Sequence, residues 1–101
     1  MITQSISVEA LRARIDAGEQ LHILDVRQPE ERAEFALEPS LFIPLHELPE
    51  RVGELEHLRN SELLVYCQSG NRSGQACMFL ELSGFSNVLN LSGGMLTWTK
   101  A

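Results

Sequence analysis

The sequence predicts an α/β domain, with a mostly parallel sheet and helices on both of its faces. Two observations carry this. Short apolar runs of four to six residues alternate along the chain with segments whose apolar residues recur at helical spacing. The 101 residues, 44% of them hydrophobic, suit one domain with a real core over 1–101.

The elements follow in order. In "SVEALRARIDAG", Ser7 can cap a helix, and Glu9 falls in its first turn. Val8, Leu11 and Ile15 recur at helical spacing, and Gly18 stops the run. "LHILDV" is a short apolar run and reads as a buried strand. "QPEERAEF" opens on Pro29 and acids and suits a short helix, and "LFIP" reads as a second strand. "LPERVGELEHL" starts near Pro49 and carries Leu48, Val52 and Leu55 on one helical face. "ELLVYC" is a third strand, "RSGQACMFLELSG" a helix stopped by Gly84, "NVLNL" a fourth strand and "GGMLTWTK" a last short helix.

Charge narrows the partners. The net charge is −6, and nucleic-acid binders are usually basic, so nucleic acid is excluded as a partner. No apolar run approaches the roughly 20 residues of a membrane helix. The first residues show no signal-peptide pattern, and only two cysteines are present, so the expected setting is cytoplasmic and reducing. The acidic residues concentrate between 28 and 62, which suits a solvated surface. The segment after Ser61 is poor in acids. The two cysteines and scattered histidines have no zinc spacing, so no metal or cofactor is expected.

The stretch "LLVYCQSGNRSGQACMFLELSGF" holds the chemistry. Cys67 ends an apolar strand, and a Gly-containing loop follows it into a helix starting near Arg72. In open α/β sheets, ligands bind at the carboxyl ends of the strands. Loop N–H groups can curl round the sulfur as an anion nest, and the helix start and Arg72 add positive potential. Gly70 and Asn71 tolerate the positive φ that a tight cradle needs. Helix starts lower a cysteine's pKa, and the thiolate is the nucleophile. An inert buried cysteine is the plainer alternative, but the Gly, Arg and Ser beside Cys67 favour a reactive site. Cys77 falls among apolar residues on the following helix and reads as core. His22, His46 and His57 carry no protease-like signature with either cysteine. Gly93 and Gly94 turn the chain into the last helix, and Trp98 reads as a core or edge anchor.

"YCQSGNRS", the upstream "ILDVRQPEE" and the downstream "GFSNVLNLSGGMLTW" resemble a single-domain rhodanese over about residues 5–98. The likeness is greatest to the rhodanese domains fused to adenylyltransferases of molybdopterin and thiamine sulfur pathways. It implies a rhodanese-like parallel sheet and a sulfurtransferase. Cys67 would take a sulfane sulfur as a persulfide from thiosulfate or a persulfide donor and pass it to a thiophilic acceptor. Gln68, Ser69, Gly70, Asn71 and Arg72 would bind the substrate sulfur. Asp25, Arg27 and Ser73 would support the loop. A cysteine desulfurase or a sulfur-carrier protein is the implied protein partner, and Gln68, Ser69 and Met95 are expected at an exposed docking rim. The family often carries a "GHIPGA"-like segment where this chain has "FALEPSLFIP", so the local loop departs from the pattern. Phosphatases and arsenate reductases are the rival enzymes. Phosphatases resemble C-x5-R, whereas Cys67 to Arg72 is C-x4-R, a loop that closes on one sulfur atom. A non-catalytic rhodanese-like binding module is the other alternative, against which the presence of Cys67 argues.

Overall fold

A computed structural model describes residues 4–100. Its five strands are β1 (Gln4–Ile6), β2 (Ile23–Asp25), β3 (Leu41–Phe42), β4 (Glu62–Tyr66) and β5 (Asn87–Leu91). They form one sheet in the order β1-β5-β4-β2-β3, and every neighbouring pair is parallel. β4 is therefore the middle strand. The helices are α1 (Val8–Asp16), α2 (Pro29–Glu34), α3 (Leu48–Arg51), α4 (Asn71–Leu82) and α5 (Gly94–Lys100).

Side chains alternate across each strand. Leu63, Val65 and Cys67 point to one face, where they pack with Leu48, Leu55, Leu58, Ala76, Cys77 and Leu80. Leu64 and Tyr66 point to the other, against Val8, Leu11, Leu91 and Met95, with Trp98 beside them. α4 and the 48–58 segment thus cover one face, and α1 and α5 cover the other. Arg12 ties α1 to α5, stacked 4.0 Å from the Trp98 ring centroid.

Local rules account for the helix ends. The Ser7 hydroxyl accepts the Ala10 N–H at 3.0 Å, a cap worth about 1 kcal/mol. α2 opens on Pro29, and the Glu31 carboxylate reaches back to accept the Gln28 N–H at 2.9 Å.

Four expectations change. β1 is a strand the sequence does not announce: of "QSI" only Ile6 is buried, and its partner is β5, far along the chain. The single helix expected over 48–58 is α3 followed by a 3-10 segment, Val52–Leu58. Leu48, Leu55 and Leu58 are buried all the same. Ile15, expected on the apolar face of α1, is 40% exposed. Met95, expected at an exposed rim, is buried under the sheet at 3%.

Candidate active site

Cys67 follows the last residue of β4, at the carboxyl end of the middle strand, and is buried. The chain then turns through Gln68, Ser69 and Gly70 into α4. Gly70 takes φ +104°, which aims its N–H back at the sulfur. That N–H donates to Cys67 Sγ at 3.0 Å. The Ser73 hydroxyl lies 3.3 Å from the same sulfur. Burial raises the Cys67 thiol, but hydrogen bonds from the Ser73 side chain and from the amides of Ser73, Gly70 and Ser69 outweigh it, and the net shift is downward. Asn71 does not supply the left-handed residue. It is the exposed first residue of α4, and among the described residues every positive φ belongs to glycine.

The start of α5 supports the loop from the other side. The Met95 N–H donates to the Cys67 carbonyl and the Leu96 N–H to the Gln68 carbonyl, both at 2.9 Å. Gly94 takes φ +57°, and a Cβ on it would lie 2.5 Å from the Cys67 carbonyl oxygen. The turn expected of Gly93 and Gly94 is there, and it lets α5 approach the loop's backbone.

Asp25 and Arg27 form a buried network beneath the site. Asp25 Oδ1 accepts the Arg27 N–H at 2.9 Å and Arg27 Nε at 3.1 Å. Its Oδ2 accepts Arg27 Nη2, Arg32 Nη1 and the Tyr66 hydroxyl at 3.0–3.1 Å. Arg27 Nη2 also donates to the Phe35 carbonyl at 2.6 Å, and Nη1 reaches Gln68 Oε1 at 3.4 Å. These bonds run to neighbouring side chains and backbone rather than to the sulfur, and of the loop residues they reach Gln68 alone.

Arg72 has a partner that the sequence does not reveal. Its two terminal nitrogens each donate to Glu31 of α2 at 2.8 Å. The acid-poor segment around Cys67 therefore receives a carboxylate from elsewhere. A groove of about 330 Å³ runs beside the loop, lined by Arg27, Glu31, Glu34, Phe35 and Gln68 among others.

Cys77 is buried among apolar residues of α4, and burial pushes its thiol up to about 12. His22, His46 and His57 are all exposed, and His46 contacts Gln28 and Glu47 rather than a cysteine. No group of acids, histidines and cysteines suited to a metal occurs among the described residues.

The Rhodanese-like domain model matches residues 7–101. The chain belongs to the rhodanese-like family. A sulfurtransferase of Allochromatium vinosum is 34% identical to it, over 98% of this chain and 91% of that protein. A putative sulfur carrier protein of Bacillus subtilis, YrkF, is 39% identical over 93% of this chain and 50% of its own length. Among solved structures, a rhodanese-like domain protein from Staphylococcus aureus superposes with a TM-score of 0.87 at 27% identity, covering 95% of this chain and 91% of that one. The rhodanese-like fold and a parallel α/β sheet are thus shared, and the relatives place the chain with sulfurtransferases. Among the described residues no helix is long and apolar enough to cross a membrane.

Proposed function

We propose that Cys67 carries sulfane sulfur as a persulfide between a donor and a thiophilic acceptor. The observation that carries this is the Gly70 N–H aimed at Cys67 Sγ at 3.0 Å, at the carboxyl end of the middle strand. In the first step the Cys67 thiolate attacks the outer sulfur of the donor. The new S–S bond forms as the donor's own bond to that sulfur breaks, and sulfite or a thiolate leaves with the electron pair. In the second step the acceptor attacks the outer sulfur, and Cys67 leaves as a thiolate. Electrons balance without an added oxidant or cofactor. Amides of Ser69, Gly70 and Ser73 hold the negative charge that develops in the cradle.

The Arg72–Glu31 pair supports a persulfide donor over thiosulfate. The one arginine of the loop is engaged with a carboxylate, so a small dianion meets little free positive charge. Beside the loop, the exposed Phe35 ring gives an apolar surface that a protein donor or acceptor can cover. A cysteine desulfurase as donor, or a sulfur-carrier protein as acceptor, fits that surface. The name of the related YrkF points the same way. Free thiols fit a reducing, cytoplasmic setting.

Intact-mass measurement after exposure to thiosulfate or to a persulfide donor tests the reading. The protein should gain one sulfur atom, and Cys67→Ser should gain none. The specificity constant should be higher for the protein route than for thiosulfate:cyanide transfer. Saturation by micromolar thiosulfate with no loading from a protein donor would overturn the choice of donor. No sulfur gain from any donor would overturn the function.

A further inference from the structure

Asn90 faces the active-site cysteine from a strand that the chemistry above does not use. It stands in β5 opposite Val65 of β4, two residues before Cys67. Val88 and Val65 belong to the core under α4. By strand alternation Asn90 points to the same side, where the pattern calls for an apolar residue. An amide there has to be accounted for by its hydrogen bonds.

Those bonds fix its orientation. Asn90 Nδ2 donates to the Gly70 carbonyl at 3.1 Å, so Nδ2 is turned to the loop and Oδ1 to α4. Oδ1 meets the Ser73 hydroxyl at 2.5 Å. An amide oxygen has no proton to give, so the Ser73 hydroxyl must donate to it. A hydroxyl has one proton. While it points at Asn90, Ser73 Oγ offers only lone pairs to Cys67 Sγ, 3.3 Å away. That suits a thiol, whose S–H can donate to Oγ. It does not suit a thiolate, which needs a donor.

We propose that Asn90 is a positioning residue that parks the Ser73 hydroxyl away from the sulfur, and that this hydroxyl swings to Sγ only when Cys67 becomes a thiolate. The proposal rests on Cys67 as the nucleophile for its use in catalysis. In a persulfide the inner sulfur has no proton and the charge lies on the outer sulfur, so the hydroxyl returns to Asn90. When an acceptor attacks and Cys67 departs as a thiolate, the hydroxyl swings back to meet the charge. Through Nδ2, Asn90 also holds the carbonyl of Gly70, the residue whose own N–H faces the sulfur.

The other charged and titratable groups around the sulfur do not imitate this. Arg72 of α4 is paired with Glu31 of α2, whose carboxyl the arginine holds down to about 2. Asp25 and Arg27 at the end of β2 are paired with each other. Cys77 of α4 remains a thiol up to about 12. His46 meets Gln28 at the outer end of α2 and is common to every variant below.

The test is the pH titration of the Cys67 thiolate, by its ultraviolet absorbance and by the rate of alkylation, in Cys77→Ala protein. No sulfur donor is involved, so failure here is separate from failure of the sulfurtransferase reading. Asn90→Leu releases the hydroxyl to the sulfur and should lower the thiolate pKa by about half a unit to one unit, the worth of one competing hydrogen bond. In a Ser73→Ala background the same change should have no such effect. Ser73→Ala alone should raise the pKa, because the thiolate loses its donor. A hydroxyl fixed on Asn90 predicts the reverse sign, since its removal would take lone pairs away from the thiolate. A lowered or unchanged pKa in Ser73→Ala overturns the proposal, whether or not Asn90→Leu folds. So does an Asn90→Leu lowering of the pKa that persists without Ser73.

Discussion

Arg72 and Glu31 stand 41 residues apart in the chain and close on each other through two hydrogen bonds of 2.8 Å. The pair joins α2 to the first turn of α4. It turns the loop's arginine from a free anion-binding group into a strut. Arg72 itself is held there by a bidentate geometry that lysine would not reproduce.

Glu31→Gln should therefore release Arg72 toward a small anion. The KM for thiosulfate is expected to fall by about two- to tenfold, up to about 1.4 kcal/mol of binding. Arg72→Ala should raise it and loosen the loop. The pair also has a pH signature. Glu31 is held at about 2, chiefly by its hydrogen bonds to Arg72, below an ordinary carboxyl of about 4.3. A depressed carboxyl stabilises the fold above the unfolded value. That contribution is lost as pH falls from about 4.3 through about 2. Both side chains are near 30% exposed, so the term is on the order of 1 kcal/mol or less. Denaturant melts at pH 7 and at acid pH should show the variant losing less of its stability on acidification. An unchanged or higher KM in Glu31→Gln would show that Arg72 does not meet the donor even when free.

The two cysteines should differ sharply. Cys67 lies among donors that favour its thiolate, whereas burial pushes Cys77 up to about 12. Cys67→Ser should abolish thiosulfate:cyanide transfer. Cys77→Ala should retain most of it and cost about 1 kcal/mol as a small core truncation. Alkylation near neutral pH should label Cys67 alone. Equal losses in the two variants would sink the assignment of the sulfur to Cys67.

The fold was legible where apolar period and stop signals agreed. "ELLVYC" is a buried run, "NVLNL" buries Val88 and Leu91, and both are strands. β1 was hidden because a three-residue edge strand buries one side chain and owes its existence to β5. In 48–58 the leucine spacing marked the buried face, but spacing does not distinguish an α-helix from a 3-10 coil with Gly53 inside it. At the site, the strand-end position of Cys67 and the turn at Gly70 were legible because they are contiguous in the chain, whereas Asn71 does not take the positive φ expected of it. Glu31 and Tyr66 were not, because their roles come from contacts across the sheet. Asn90 did leave a sign: a polar residue at the position two after Val88, where the alternation expects an apolar one.

Asp25 carries the next prediction. Its two oxygens receive five hydrogen bonds from Arg27, Arg32 and Tyr66, and Arg27 is itself only 2% exposed. Asp25→Asn keeps the volume but leaves a buried guanidinium without its counter-charge. Breaking a buried pair from one side costs about 3–5 kcal/mol. Urea melts of the variant should show a loss of that size. A loss below about 1 kcal/mol would mean that Arg27 finds enough compensation from the Phe35 carbonyl and Gln68.

Gly94 makes the sharpest test of how the loop is held. Its φ of +57° is open to alanine at a cost of roughly 1–2 kcal/mol. Its surroundings are not. A Cβ there would lie 2.5 Å from the Cys67 carbonyl oxygen and 2.7 Å from that of Gln68, both backbone atoms. The clash is relieved only if α5 and the loop separate, and that breaks the bonds from Met95 and Leu96 to those same carbonyls. Gly18 supplies the control, with φ +78° and nothing within 4 Å of the position a methyl would take. Gly18→Ala carries backbone strain without contact. Both variants should lose some stability, and the excess in Gly94→Ala measures the contact. Misplacing a reacting group by about 1 Å can cost on the order of a hundredfold in rate. Gly94→Ala should therefore lower kcat/KM by about ten- to a hundredfold, while Gly18→Ala leaves it near the parent value. Parent-like turnover in Gly94→Ala would show that the loop keeps its sulfur cradle without the support of α5.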